Sequence, residues 1–309
     1  MCRFLLQRII SAIFAIFFVA TVTFFLLHAI PGGPFDEDIR LPPEIMRNLE
    51  AKYHLNEPLW EQYLDYLRGL VLWDLGPSLK QEALSVNDII REGFPVSATL
   101  GALAMGIALV AGVTGGVVAA LCHNRWQDRL ITAVTALGFA MPGFILAGLL
   151  MYFFAYKLRW FPPALWGTPA QAVLPVLALA AGPTAVIARF MRSSLLEVLQ
   201  QDYIRTARAK GLSQPVVIYR HALRNAFIPV ISYLGPAIAA VFTGSLVVER
   251  IFAIPGLGQY YVTGIVNRDY TLTLGVTVFY SILLITMNLL ADLGYVALDP
   301  RVRLVDRTR

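Results

Sequence analysis

The chain has 309 residues, 57% of them hydrophobic and 15% charged, and its mean hydropathy is +0.64. These values exclude an ordinary water-soluble domain and indicate a membrane protein. The net charge of +5 does not indicate a nucleic-acid partner, because the Arg and Lys residues lie beside apolar segments.

Six apolar segments are long enough, or nearly so, to cross about 30 Å of hydrocarbon. They lie near residues 9–30, 95–121, 131–157, 173–187, 229–248 and 272–298. The fourth segment is the weakest, since it contains Pro175 and Pro183, and we expect kinks at Pro142 and Pro236 as well. The sequence therefore predicts an all-α polytopic membrane protein with six transmembrane helices.

The distribution of basic residues predicts the orientation of these spans. Arg3 and Arg8 precede the first span, which is too long and lacks the small-residue site of a cleaved signal peptide. With the N-terminus inside, 15 Arg and Lys residues lie on the inner side and ten on the outer side. We therefore expect both termini, including a basic tail at 299–309, to be cytoplasmic.

The first loop after the N-terminal helix (1–30) covers residues 31–94 and is predicted to be external. It carries twelve acidic residues against six basic ones. Pro43 and Pro58 are typical of helix starts, and an apolar stripe follows the second of them. The stripe consists of Leu59, Tyr63, Tyr66, Leu67 and Leu70. This loop is either a cap that packs on the membrane helices or a vestibule for a substrate-delivering protein.

The sequence lacks the residues that several functional classes require. The sequence has no phosphate-binding loop of the Gly-x-x-x-x-Gly-Lys-Ser/Thr type, and acids and histidines do not line up along the spans as a proton relay. Cys2 and Cys122 are both expected near the cytoplasmic face, so no disulfide is predicted, and no Cys/His cluster has metal-ligand spacing. A membrane pathway without energy-coupling chemistry of its own needs a partner that supplies it.

The longest polar interruption of the second half is residues 189–229, which we call the basic loop. Seven of its residues are Arg or Lys, and only two are acidic. A helical face is predicted from residues that recur every four positions, namely Leu195, Leu199, Tyr203 and Ala207. We expect Gly211 to end that helix and Ser213 to cap a short second helix with an apolar patch at Val216, Val217 and Tyr219.

Two runs in this loop, R-T-A-R-A-K-G-L at 205–212 and H-A-L-R-N-A at 221–226, resemble the coupling loop of ATP-binding-cassette importer permeases. Arg205 and Thr206 stand where Glu and Ala are usual in that loop, and Arg224 stands where Pro is usual. These departures match the peptide/nickel branch of the family. The segments at 41–56 and 249–258 resemble the same branch, so the resemblance covers nearly the whole chain.

The resemblance implies a type I permease core at 95–298 that contains the basic loop. It implies an ATPase-coupling interface at Arg205, Thr206, Ala207, Arg208, Gly211, Leu212, Val216, Val217, His221, Leu223, Arg224 and Asn225. It also implies an outer gate at Glu249, Pro255, Gly256 and Gly258. Asp292, an acid in the inner half of the last span, is a candidate path residue.

The same resemblance implies a subunit of a bacterial inner-membrane oligopeptide importer that is not itself an enzyme. Its partners would be a second homologous permease, two ATPase subunits that bind ATP and Mg²⁺, an external peptide-binding protein and the lipid bilayer, but no nucleic acid. No cofactor is expected in this chain. Alternatives are a permease for dipeptides, nickel chelates or glutathione, a membrane anchor that does not transport, and a self-powered carrier, which the lack of charge pairs in the spans disfavours.

Overall fold

The computed structural model describes residues 2–35, 43–81 and 84–298, and its regular structure in these residues is helical, which confirms the all-α prediction. The predicted tail at 299–309 lies outside them. The helices are α1 (Cys2–Ala29), α2 (Pro43–Lys52), α3 (Leu59–Leu72), α4 (Val86–Leu121), α5 (Trp126–Ala140), α6 (Gly143–Leu150), α7 (Pro169–Leu199), α8 (Asp202–Ala209), α9 (Gln214–Val216), α10 (Leu223–Ala226), α11 (Ile228–Gly244), α12 (Leu246–Ile251), α13 (Leu257–Val266) and α14 (Tyr270–Leu298). Two π-helical segments, Met151–Lys157 and Val217–Ala222, continue α6 and α9.

Five helical stretches in the described part of the chain are long and apolar enough to cross a membrane. They are Leu6–Ala29, Val86–Leu121, Pro169–Leu199, Ile228–Ile251 and Tyr270–Leu290. A sixth crossing is possible if the bent pair Trp126–Ala140 and Gly143–Lys157 counts as one broken span. The chain is therefore a multi-pass membrane protein, and each of the six predicted segments corresponds to one of these helical regions.

The third predicted span is not continuous. Its two parts meet at an angle of 108°. Met141 and Pro142 both have extended backbones, with ψ angles of 124° and 136°. Proline has no N–H to donate and disfavours the helical conformation of the residue before it, so the break falls where the kink at Pro142 was predicted.

The fourth predicted span is longer than its sequence suggested. It was placed at residues 173–187, but α7 runs for 31 residues with Pro175 and Pro183 inside it. Its start is fixed by a capping box, in which the Thr168 backbone N–H donates to Gln171 Oε1 at 2.9 Å. Capping and packing at both ends therefore outweigh the two missing backbone donors.

The chain divides into two compact units. The first contains the described residues of Met1–Ser97 and Pro255–Ile285, and the second those of Ala98–Ile254 and Thr286–Arg309. In the second unit α4 and α7 approach closely at two glycines. A Cβ atom on Gly112 would lie 2.8 Å from the Ile187 Cβ, and one on Gly116 would lie 2.6 Å from the Ala188 carbonyl oxygen. Small residues permit this contact, as is usual between membrane helices.

The first unit contains the helices of the loop at 31–94. Helices α2 and α3 begin at Pro43 and just after Pro58, as predicted. Helix α13, which begins directly after Gly256, was not predicted, because Pro255 and Gly256 were assigned to an outer gate rather than to the start of a helix. Its start is held by Ser97, whose hydroxyl oxygen accepts a hydrogen bond from the Leu257 N–H at 2.9 Å.

Candidate functional site

The basic loop contains the end of α7, then α8, α9 with its π-helical continuation, and α10, rather than one long helix and one short one. The predicted face from Leu195 to Ala207 is interrupted, because Gln200 ends α7 and Gln201 has an extended backbone with ψ 149°. Helix α8 starts again at Asp202, whose acidic side chain suits the positive end of the helix dipole. The prediction of one continuous helix through residues 200 and 201 is therefore wrong.

The chain reverses at Gly211, where φ is +80°. A side chain at this φ is strained because the Cβ atom approaches the backbone, so glycine is the natural residue here. Ser213 is then the N-cap residue of α9 with Pro215 in its first turn, although its side chain makes no capping hydrogen bond. The turn and the second helix thus stand where the sequence predicted them.

The apolar surface of the loop differs from the predicted one. Tyr219 is 76% exposed, and Leu212 and Val216 are exposed as well. These three residues form what we call the loop tip. Val217 was predicted for the same surface, but only 1% of it is exposed, and Ala207 is also buried. Val216 and Val217 are neighbours in the chain, and consecutive helical residues point about 100° apart, so one can be exposed while the other is buried.

Exposed basic side chains lie before and after the loop tip in the sequence. Arg205, Arg208, Lys210, Arg220 and Arg224 form what we call the basic rim. Arg205 lies 3.6 Å from Asp202, and both side chains are largely exposed, so this contact contributes little to stability. Thr206 donates its hydroxyl to the Asp202 carbonyl oxygen at 3.0 Å and is otherwise solvent-exposed.

The loop is fastened to the helices on either side of it. Asn225 Nδ2 donates to the Tyr203 hydroxyl at 2.7 Å, which joins α10 to α8. Helix α10 packs on α7, with Ala222 and Ala226 buried and Leu223 half-buried. His221 is half-buried beside them. A force on the loop tip would therefore be transmitted to α7 and to α11, which follows α10 after a single residue.

A buried carboxylate at the start of α5 escaped the sequence interpretation. Asp128 is 3% exposed, and Arg192 donates two hydrogen bonds to its carboxylate. They run from Nε to Oδ1 at 2.6 Å and from Nη2 to Oδ2 at 2.8 Å. The Asn124 backbone N–H donates to Oδ2 at 2.9 Å, and His123 Nδ1 lies 3.3 Å from the same oxygen. Together with Thr132, these residues form what we call the Asp128 cluster.

The Asp128 cluster joins α5 to α7 and has one signal in the sequence. Asp128 is the sole acidic residue between Glu92 and Glu197 in the amino-acid sequence. An isolated acid among apolar spans indicates a partner, since an unpaired buried charge is costly. The sequence could not show that the partner is Arg192, which lies 64 positions further on.

The residues predicted for an outer gate fall in both compact units. Glu249 belongs to α12 in the second unit, is fully buried, and accepts a hydrogen bond from the Ser245 hydroxyl at 2.5 Å. Pro255, Gly256 and Gly258 belong to the start of α13 in the first unit. Asp292 lies in α14, but its side chain is outside the described residues.

A second buried carboxylate organises the first unit. Asp269 is 1% exposed and accepts hydrogen bonds from the Ser78 hydroxyl at 2.5 Å and from the Leu79 N–H at 3.2 Å. It also accepts the Leu272 N–H at 3.1 Å in the first turn of α14. Asp269 thereby fixes the end of the predicted external loop to the start of the last span. The sequence showed it only as part of a polar turn.

A cavity of about 460 Å³ lies in the second unit beside the break between α5 and α6. Its mainly apolar lining includes Phe139, Met141, Pro183, Tyr233, Val241 and Val248. Within residues 2–35, 43–81 and 84–298, no group of three His, Cys, Asp or Glu side chains is placed to hold a metal ion.

Comparisons with known proteins agree over the full length. Residues 112–304 match the family described as binding-protein-dependent transport system inner membrane component, and residues 1–83 match the N-terminal family of such membrane components. The chain is 49% identical over 304 residues to the dipeptide transport system permease protein DppB of Bacillus subtilis, covering 98% of this chain and 99% of that protein. It is 46% identical over 305 residues to the oligopeptide transport system permease protein OppB of Haemophilus influenzae, covering 98% and 100%.

Solved structures show the same fold in more distant proteins. The MetNI methionine ABC transporter in an inward-facing crystal form aligns with a TM-score of 0.57 at 20% identity, over 68% of this chain and 96% of that one. An amino acid ABC transporter crystallised with histidines aligns with a TM-score of 0.55 at 16% identity, over 68% and 94%.

Proposed function

We propose that this chain, which belongs to the family of binding-protein-dependent transport system inner membrane components, forms the membrane path of an ATP-driven peptide importer. The observation that carries the proposal is the basic loop, which presents an exposed apolar tip inside a basic rim on a rigid support. Such a tip is suited to a groove on another protein, because an apolar anchor surrounded by charge is the usual anatomy of an interface.

The partner at this loop is an ATPase subunit, and the loop acts as a lever. Leu212, Val216 and Tyr219 fill an apolar groove, while the basic rim pairs with acidic groups around it. When two ATPase subunits close on ATP and Mg²⁺, the loop moves with them and carries α7 and α11. Nucleotide binding then shifts the spans between inward-open and outward-open states, as an equilibrium responds to a ligand that prefers one of its states.

The remaining parts of the proposed importer follow from its family. A second homologous permease completes the path, and an external binding protein delivers peptide to it. Both termini and the basic loop lie in the cytoplasm of the bacterium. Glu249 and the turn at Pro255–Gly258 act at the outer end of the path, and Asp292 acts toward its inner end.

The substrate is a peptide, and its length remains to be measured. The dipeptide permease of Bacillus subtilis and the oligopeptide permease of Haemophilus influenzae are almost equally similar to this chain. Competition of uptake by unlabelled peptides of two to six residues distinguishes the two. Inhibition by dipeptides alone assigns a dipeptide importer, and inhibition by the longer peptides assigns an oligopeptide importer.

Photo-crosslinking tests the partner at the loop tip. Replacing Tyr219 by p-benzoylphenylalanine in the assembled complex is expected to cross-link the ATPase subunit, because Tyr219 is the most exposed residue of the tip. The same replacement at Tyr156, which is 70% exposed in the π-helical segment after α6, is the matched control and is expected to give no such adduct. Adducts to the ATPase from position 156 instead of 219 contradict the proposal.

A transport assay separates an importer from an anchor that does not transport. ATP hydrolysis by the reconstituted complex is expected to rise when peptide-loaded binding protein is added from the outer side. If the ATPase rate does not change when loaded binding protein is added, and Tyr219 still cross-links the ATPase, the chain belongs to the anchor class.

A further inference from the structure

Helix α3 has a second apolar side that touches nothing in the described chain's core. Trp60, Leu64 and Val71 are 61%, 52% and 86% exposed. At about 100° per residue they lie within about 40° of one another around the helix axis. The side that packs inward is a different one and contains Tyr63, Tyr66 and Leu70. So α3 is apolar on two sides, although it belongs to a loop predicted to be external.

The contacts of α3 with α1 fix its depth in the membrane. Tyr63 shares a hydrogen bond of 2.7 Å with the Thr21 hydroxyl, and its ring lies 5.3 Å from that of Phe25. Tyr66 stacks on Phe24 with ring centroids 5.6 Å apart. All of these contacts lie within the first compact unit. They attach α3 to the last two turns of a helix that crosses the membrane.

Thr21 lies well inside the membrane relative to the Ala29 end of α1. The apolar stretch Leu6–Ala29 has 24 residues. It is about 36 Å long at 1.5 Å per residue, against about 30 Å of hydrocarbon. The eight residues from Thr21 to Ala29 span about 12 Å, so Thr21 lies about 9 Å inside the hydrocarbon boundary. A helix that touches Thr21, Phe24 and Phe25 therefore lies at acyl-chain depth along part of its length.

We propose that α3 is embedded in the lipid leaflet at the Ala29 end of α1, with Trp60, Leu64 and Val71 in contact with acyl chains. The exposed surface of α1 at the same level, which includes Phe18, Phe25 and Leu26, is continuous with membrane lipid. Trp60 and Trp73 stand at the two ends of α3, and tryptophan favours the membrane interface. The occupant of this apolar side is lipid rather than a protein groove.

The polar side of α3 does not conflict with this depth. Asp65 is exposed and lines a cavity of about 350 Å³ in the first unit together with His28, Tyr53 and Tyr66. It lies about 100–140° around the helix axis from Trp60, Leu64 and Val71, so the acid points away from the side assigned to acyl chains. Arg68 is exposed one turn further on, and its long side chain reaches the headgroup layer in the manner usual for arginine near a membrane surface.

Spin-label accessibility in the assembled transporter tests the proposal. With Cys2 and Cys122 replaced by Ser, nitroxide labels are placed singly at residues 64 and 71, at the exposed residue 65 as the polar-side control, and at residue 18 of α1 as the lipid reference. In lipid nanodiscs, collisions with oxygen report lipid and collisions with a water-soluble nickel chelate report water. We expect the oxygen-to-nickel ratio at 64 and 71 to match that at 18 and to exceed that at 65 several-fold.

Two outcomes overturn the proposal. A ratio at 64 and 71 equal to that at 65 means that this side of α3 faces water. Low collision rates with both reagents mean that it is covered by protein, either a second permease or a binding protein. The unlabelled chain supplies an independent check. Lipids that carry a diazirine in the acyl chain are expected to label Trp60 and Leu64 but not residues 47–49 of α2, and the reverse pattern refutes the embedding.

Discussion

The basic rim and the Asp128 cluster, which includes Arg192, lie in the same compact unit but hold their charged groups in opposite ways. The basic rim keeps five cationic side chains in solvent, and its one close acid, Asp202, lies 3.6 Å from Arg205. Asp128 is instead buried and receives Arg192 through two hydrogen bonds of 2.6 and 2.8 Å. Exposed charges leave the loop free to pair with a partner, whereas the buried pair holds α5 and α7 together.

The difference predicts where a mutation changes stability and where it changes coupling. Exposed ion pairs contribute about 0–1 kcal/mol, because water and salt screen them. Removing one partner of a buried pair costs several times as much, because the remaining charge loses its compensation. Substitutions in the Asp128 cluster should therefore lower the free energy of unfolding, and substitutions at Gly211 or in the basic rim should leave stability nearly unchanged but alter the response to ATP.

The largest expected effect is on stability. Asp128→Ala should lower the free energy of unfolding by about 3 kcal/mol, the lower end for a broken buried pair, because the Arg192 side chain remains 30% exposed. The matched control is Asp202→Ala, whose side chain is 96% exposed and whose loss should change stability by less than about 0.5 kcal/mol. Denaturant titration in detergent micelles measures both.

A conservative change separates charge from geometry in the same cluster. Arg192→Lys keeps the positive charge but cannot reproduce the two parallel hydrogen bonds to Asp128. We expect a loss of about 1–2 kcal/mol, between those of the two aspartate variants. Equal losses for Asp128→Ala and Asp202→Ala would show that burial of the pair does not determine stability.

The second effect is on coupling rather than stability. Gly211→Asp places a negatively charged side chain at a φ of +80°, in a turn that lies in the sequence between residues of the basic rim. We expect membrane insertion to be retained and peptide uptake per ATP hydrolysed to fall about tenfold, as a shift of about 1.4 kcal/mol implies, because the new acid competes for the rim cations. Gly211→Asn is the control, since asparagine has nearly the same shape and also tolerates this backbone conformation but carries no charge, and it should retain most of the uptake. Normal uptake by Gly211→Asp would refute the coupling role.

The sequence predicted those features that depend on residues close together in the chain. Gly211, Ser213 and the helix starts at Pro43 and Pro58 were found because turn and capping chemistry acts over a few neighbouring residues. The apolar length of the spans likewise fixed the fold class, and the resemblance of the basic loop fixed the family.

Long-range contacts and irregular helical turns were not predictable in this way. Asp128 and Arg192 meet only because α5 packs on α7. Val217 is buried beside the exposed Val216, and which of two neighbouring apolar side chains faces the protein depends on how the short helix packs. The sequence identified the correct stretch of 189–229, but the split between its buried and exposed side chains depends on tertiary packing that periodicity does not encode.

A smaller effect concerns the basic rim. Arg205→Gln should weaken association of the ATPase subunit by no more than about 1 kcal/mol, because this side chain is exposed and already close to Asp202. The loss should shrink at high salt, since screening reduces the contribution of the native arginine. Binding measured at two ionic strengths checks this. A salt-independent loss would mean that Arg205 acts through packing instead of charge.

The smallest effect is the titration of an exposed pair in the other unit. The Glu57 carboxylate lies 2.6 Å from His54 Nδ1, and its hydrogen bond and charge raise the pKa of the His54 imidazole above its ordinary value. Because the folded-state pKa is the higher one, any stabilisation is fully present below the unfolded value of about 6.5 and is lost as the pH rises through the folded value. Since the pair is exposed, the titration should shift visibly while global stability stays nearly constant.

Replacing the acid without changing its shape isolates this interaction. In Glu57→Gln the pKa of His54 should fall toward the ordinary histidine value, because the hydrogen bond to the ionised carboxylate is the main source of the shift and the carboxylate charge is the next. NMR of labelled histidine measures the titration, and His54→Gln identifies its signal among the four histidines of the chain. An unchanged pKa would show that solvent already screens the pair completely. Exposed charges in this protein would then contribute only to the binding of partners, both in the first unit and in the basic rim.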